Sequence, residues 1–145
     1  MKYSNEVIIN APRDKVVALF DNPEMLSAWQ PGLQSYELMS GTAGQPGAET
    51  LLHYHMGKSK LEMHETIVSR NLPDEYSALY IVNGVRNEVS HFFEILPDNK
   101  TRYHTENIFF FQGYMKLFGW LFPKMFKQQS QIYMDDFKKF AEKEI

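Results

Sequence analysis

APRDKVVALFDNPEMLSAWQP, residues 11–31, decides the fold. A short strand carrying Val7, Ile8 and Ile9 runs into it and ends at Asn10. Pro12 then opens a helix, because a proline in a helix's first turn sacrifices no hydrogen bond. Val16, Leu19 and Phe20 fall on one face of that helix. Pro23 restricts Asn22 and stops the helix by Asp21 or Asn22. Met25, Leu26 and Trp29 anchor a second short helix, and Trp29-Gln30-Pro31-Gly32 turns the chain into a strand, Leu33 to Met39.

Outward from there the chain is strand-rich. Ser40 to Gly47 holds three glycines and a proline and reads as a hairpin loop. Strands are predicted at Ala48–Met56, Lys60–Arg70, Tyr76–Val82, Arg86–Leu96 and Thr101–Phe111. The connections are short. Asn83-Gly84 is the strongest of them, since both residues accept the positive φ of a type I′ turn. Short connections imply sequential antiparallel strands rather than helical crossovers. After Gly113 the period becomes helical: Leu117, Phe118, Leu121, Phe122, Met125, Phe126, Ile132, Tyr133, Phe137 and Phe140 mark an apolar stripe. Pro123 breaks it into a short helix and a long one from about Lys124 to Glu144.

The chain has 145 residues, 43% of them hydrophobic and 14% aromatic, which suits one domain with a substantial core, 1–145. Fifteen basic and eighteen acidic residues leave a net charge of −3, which argues against a nucleic-acid partner. Cysteine is absent, so disulfide and thiol chemistry are excluded. No stretch approaches the roughly 20 apolar residues of a membrane span. A cytoplasmic domain without integral membrane association is expected.

The order β-α-α-β₆-α, carried by Ile9-Asn10-Ala11-Pro12, Val16, Asp21-Asn22-Pro23-Glu24, Trp29, the Gly41–Gly47 hairpin, Glu65-Thr66, Leu72-Pro73 and Thr101-Arg102 leading to Phe109 and Gly113, resembles the helix-grip superfamily. That group includes START lipid-transfer domains, birch-pollen-allergen-like proteins and polyketide cyclase/dehydrase-like (SRPBCC) proteins. The resemblance implies an α+β helix-grip fold: a curved seven-stranded antiparallel sheet wrapped around the long C-terminal helix, with two short helices after the first strand. It further implies an elongated apolar cavity between sheet and helix. Members bind or carry sterols, lipids, quinones, hormones or polyketides, and a minority are cyclases, dehydratases or hydrolases.

Candidate ligand contacts follow from the strand alternation. On the last strand Tyr103, Thr105, Asn107 and Phe109 form the uncharged face and are expected to point inward. Asn87 belongs to a strand on which two registers compete, Val85, Asn87, Val89, His91 and Phe93 against Phe92 and its charged neighbours. Met63 and Glu65 share a face with Leu61 and Ile67. A carboxyl turned into an apolar cavity would have a raised pKa and be able to move a proton. Trp29, Phe118, Phe122 and Met125 complete the expected lining.

His53, His55, His64, His91 and His104 fit no recognised metal spacing and read as surface or rim positions. No metal and no cofactor is expected. The aromatic run from Phe109 to Phe122 exceeds what one helix face requires. Its surplus is expected to line the cavity, to form a homodimer patch, or to make a lip that touches a membrane.

Three function classes emerge: a carrier of a small hydrophobic molecule, a cyclase, dehydratase or hydrolase acting on an aromatic or polyketide substrate, and a partner-binding module acting through a Trp29/Trp120 surface.

Overall fold

The computed structural model describes residues 1–145, the Met56 side chain excepted. Seven strands, β1 (Lys2–Ile9), β2 (Leu33–Ser40), β3 (Glu49–Met56), β4 (Ser59–Asn71), β5 (Glu75–Val82), β6 (Val85–Leu96) and β7 (Lys100–Phe111), form one antiparallel sheet in the order β1-β7-β6-β5-β4-β3-β2. Two short helices, α1 (Arg13–Phe20) and α2 (Leu26–Trp29), separate β1 from β2, and α3 (Met115–Leu121) and α4 (Pro123–Glu144) follow β7. This is the helix-grip architecture read from the sequence.

Element ends moved by a residue or two. Pro12 is the extended residue just before α1, with φ −68° and ψ 147°. Asn22 behaves as the prolyl restriction requires: it is extended, and its side-chain oxygen accepts from the Glu24 amide at 3.1 Å, capping the 3₁₀ turn Pro23–Met25. At the Asn83-Gly84 turn both residues have positive φ, 34° and 79°.

Curvature comes from interrupted pairing. Register shifts occur between Leu33 and Ser35, between Leu38 and Ser40, and between Ile67 and Ser69. Each such irregularity bends its strand and increases local twist.

The interior fills unevenly. Ile9, Val16, Phe93 and Phe137 are fully buried and, with Trp29, Tyr103, Met134 and Ala141, make a solid core under α1 and the C-terminal half of α4. Phe93 stacks on Tyr103 at 4.8 Å, and Phe20 meets both rings edge-on. A smaller cluster, Leu33, Leu52 and Tyr54, sits under β2 and β3. The N-terminal half of α4 offers Gln129, Ser130 and Tyr133 toward the sheet in place of bulky aliphatics, and the space between the two clusters stays open.

Polar ties hold α4 to the edge strand β1. Asn5 Nδ2 donates to the Lys127 carbonyl at 3.2 Å and to Gln131 Oε1 at 2.8 Å. The Tyr3 hydroxyl donates to the Phe126 carbonyl at 3.1 Å and lies 2.6 Å from Ser130 Oγ. No helix among the described residues is long and apolar enough to cross a membrane.

Candidate ligand cavity

The open space is a cavity of about 700 Å³ between the concave face of the sheet, α4, and the α1–α2 corner. That volume suits a small organic ligand, since such pockets run roughly 300–1,000 Å³. Antiparallel pairing decides its wall chemistry. Every second residue of each strand faces inward, and the register lines these residues up across neighbouring strands.

Three cross-strand rows result. One runs Thr50, Glu65, Tyr80, Asn87 and Phe109, each the direct partner of the next. A second runs Arg70, Tyr76, His91, Thr105 and Asn5. Between them Ile67, Ala78, Val89 and Asn107 form a mostly apolar row. The wall is therefore greasy with two polar seams. Asn5, Thr105 and Asn107 are buried, and Thr105 Oγ1 accepts from Asn107 Nδ2 at 3.4 Å while donating to Met134 Sδ at 3.5 Å.

The seam residues have shifted proton affinities. Burial raises the Glu65 carboxyl above its ordinary value, with a partly opposing hydrogen-bond contribution from the Tyr80 hydroxyl. His91 is pushed down to about 4 by burial, so it stays a neutral ring at physiological pH. Its Nδ1 lies 2.8 Å from the Tyr103 hydroxyl. Burial also raises Tyr54, Tyr76, Tyr80 and Tyr103 well beyond neutrality, so each remains a protonated phenol.

Two ties fix the helical corner over the cavity. Arg70 Nη1 and Nη2 donate to Asp21 Oδ1 and Oδ2, both at 2.6 Å. The Tyr54 hydroxyl donates to Gln30 Oε1 at 2.9 Å. Two polar atoms of lining residues lack any protein partner although buried: Trp29 Nε1, a donor, and Asn87 Oδ1, an acceptor.

Of the residues expected from sequence, Trp29, Met63, Glu65, Asn87, Tyr103, Thr105, Asn107, Phe109 and Phe118 line the cavity. Phe122 and Met125 do not; both are about half exposed at the α3–α4 turn, beyond the sheet's cover. The competing registers on β6 resolve in favour of Val85, Asn87, Val89, His91 and Phe93, because Phe93 pairs with Tyr103 and Phe92 stacks on His104 on the opposite face. His91 is accordingly a cavity residue rather than a rim position.

His53, His55 and His64 do lie on the outer face. His53 sits 3.9 Å from Glu37 and 3.7 Å from Glu62, and no group of three metal-ligating side chains occurs among the described residues. A joint Trp29/Trp120 surface does not form, since Trp29 is 8% exposed inside and Trp120 is 76% exposed outside. Sequence reasoning passed over Tyr54, Tyr76, Tyr80 and Gln129. The alternation Tyr76, Ala78, Tyr80, Val82 carried the signal for two of them.

Comparison with known proteins agrees with this geometry. Residues 1–142 match the family described as polyketide cyclase/dehydrase and lipid transport. Among curated proteins none matches the sequence significantly. Solved structures share the fold at low identity. The Zhui aromatase/cyclase of a Streptomyces species superposes with a TM-score of 0.79 at 11% identity, covering 98% of this chain and 93% of that one. A norcoclaurine synthase from Thalictrum, bound to a transition-state analogue, gives 0.75 at 12% identity, over 99% and 95% of the two chains. A START superfamily protein of Mycobacterium smegmatis gives 0.71 at 9% identity, over 96% and 98%. At such identities the likeness concerns the fold alone. With the family pattern spanning nearly its whole length, this chain belongs to the polyketide cyclase/dehydrase and lipid transport family.

Proposed function

We propose that the protein binds and carries a small, mainly apolar molecule, a lipid, quinone, polyketide or aromatic compound, that bears at least one hydrogen-bonding group. The observation that carries this reading is a cavity of about 700 Å³ whose largely apolar wall is crossed by polar side chains, Glu65, Tyr80, Asn87 and His91 among them. A ligand's hydrogen-bonding group meets a seam side chain such as Asn87, while its apolar body lies along Ile67 and Val89. Tyr103, Thr105, Asn107, Phe109, Met63 and Phe118 supply further parts of the wall.

Native mass measurement of the purified protein, followed by organic extraction, tests the proposal. A stoichiometric adduct that Asn87→Ala loses supports it. Protein that stays free of any adduct after incubation with lipid, quinone and aromatic extracts overturns it.

A second reading rests on Glu65. A carboxyl with a raised pKa, facing the cavity beside the Tyr80 hydroxyl, is equipped to transfer a proton to or from a bound substrate. The reaction class is then a cyclisation or dehydration on an aromatic or polyketide chain. Turnover of such a substrate that disappears in Glu65→Gln, with binding retained, supports it.

A further inference from the structure

The aromatic surplus at the end of β7 is an outward-facing patch. On α3, Met115 and Phe118 turn toward the cavity and Gly119 packs against Phe111. The opposite face presents Leu117, Trp120 and Leu121, and the patch extends through Tyr114, Phe122 and Met125. Tyr114 is 81% exposed and Trp120 76%. Exposed Trp, Tyr, Phe and Leu grouped beside lysines is the composition of a surface that lies in a lipid headgroup layer.

Charge distinguishes the occupant. From Asn107 to Met134 the sequence holds Lys116, Lys124 and Lys127 and no acidic residue. Since the whole chain totals −3 and this segment carries +3, the remaining residues carry −6. The three lysines are all exposed around the patch. An anionic bilayer attracts this face and repels the rest, which orients the molecule. A second copy seated on the same patch would set three lysines against three.

We propose that the Tyr114–Met125 face docks on an anionic lipid surface. The wall formed by Met115 and Phe118 is then the part of the cavity nearest the bilayer, so an apolar ligand passes between membrane and cavity along α3. This goes beyond the carrier reading, and docking does not require the cavity to be filled.

Flotation of the full chain with vesicles of phosphatidylcholine alone, or with about one-third phosphatidylglycerol, tests the proposal. Binding to the anionic vesicles, weakening with salt, is expected, together with a blue shift of tryptophan emission as Trp120 leaves water. Leu117→Ser combined with Trp120→Ser should weaken partitioning by about tenfold. Replacing Lys116, Lys124 and Lys127 by Gln should weaken it by roughly fivefold per lysine. Far-UV circular dichroism and binding of a naphthalene-sulfonate dye in the cavity should survive both sets of changes, which separates a docking failure from a cavity failure. Failure of the wild type to float with anionic vesicles overturns the proposal. So does a concentration-dependent dimer that the Leu117/Trp120 double change abolishes.

Discussion

Asp21, at the end of α1, and Arg70, near the end of β4, meet through two parallel hydrogen bonds of 2.6 Å at the rim of the cavity. Both side chains are partly exposed, so the bridge contributes at most about 1 kcal/mol to stability. Its geometry is a clasp that ties the helical corner to the sheet. We expect Arg70→Met to leave urea stability within about 1 kcal/mol and to accelerate release of a bound naphthalene-sulfonate dye. Unchanged release in stopped-flow measurements would show that the corner does not gate the cavity.

His91 gives the molecule an acid limit. Its ordinary pKa is 6.5, and burial lowers it to about 4 in the folded state. Above the ordinary value both states hold a neutral ring and the group has no effect on stability. Between 6.5 and about 4 the unfolded chain takes a proton that the folded chain refuses, so stability falls as pH falls. The full loss is about 3 kcal/mol. His91→Gln should flatten this part of the stability profile measured by urea titration at several pH values. A variant profile parallel to the wild type's would assign the acid sensitivity elsewhere.

Glu65 works in the opposite sense. Its raised pKa means that the folded state holds the proton more tightly than the unfolded one. Stability therefore declines as pH rises from the ordinary carboxyl value through the raised one, and the cost is complete above it. Glu65→Gln should be more stable than the wild type at pH 8, with the difference closing at acid pH. Equal denaturation midpoints at pH 8 would place the carboxyl in contact with solvent. If the protein is an enzyme, the same change should reduce turnover by about 10²–10⁴-fold.

Gly119 sits where α3 crosses Phe111. A Cβ there would lie 2.6–2.8 Å from three carbons of that ring. Phe111 is itself stacked on Phe109 and edge-packed on Phe126, which limits its retreat. Gly119→Ala should lose about 1–3 kcal/mol to overpacking, against a helix-propensity gain of about 1 kcal/mol. Thermal melts should show a net loss that Phe111→Leu relieves.

The strand and helix pattern was legible because turn chemistry and periodicity agree almost everywhere. Pro23, Asn83-Gly84 and Pro123 each act within a few residues of where they stand. The inner face of β7 was legible too, since one of its two faces carries Arg102, His104 and Glu106 and the other carries no charge. On β6 both faces hold aromatics, Phe92 and Phe93, and only pairing with Tyr103 decides between them. The polar rows across the cavity are a property of register among five strands, which no single segment encodes. Asp21 and Arg70 are 49 residues apart and meet only because the end of α1 packs beside β4. Phe122 and Met125 fit the apolar stripe that runs from α3 into α4, but periodicity carries no information about where the sheet ends beneath a helix.

The sheet is open, and β2 forms one of its margins with a row of backbone groups that no neighbouring strand satisfies. Tyr36, Leu38 and Met39 stand exposed along it. A straight strand of that composition would be a template for recruiting extended chains. The two register breaks within its eight residues put the donors and acceptors out of step. An arriving strand finds only a short aligned run. The irregularities that curve the sheet around its cavity thus also restrain self-assembly, and a substitution that straightened β2 to improve its pairing would turn this margin into a seed for aggregation.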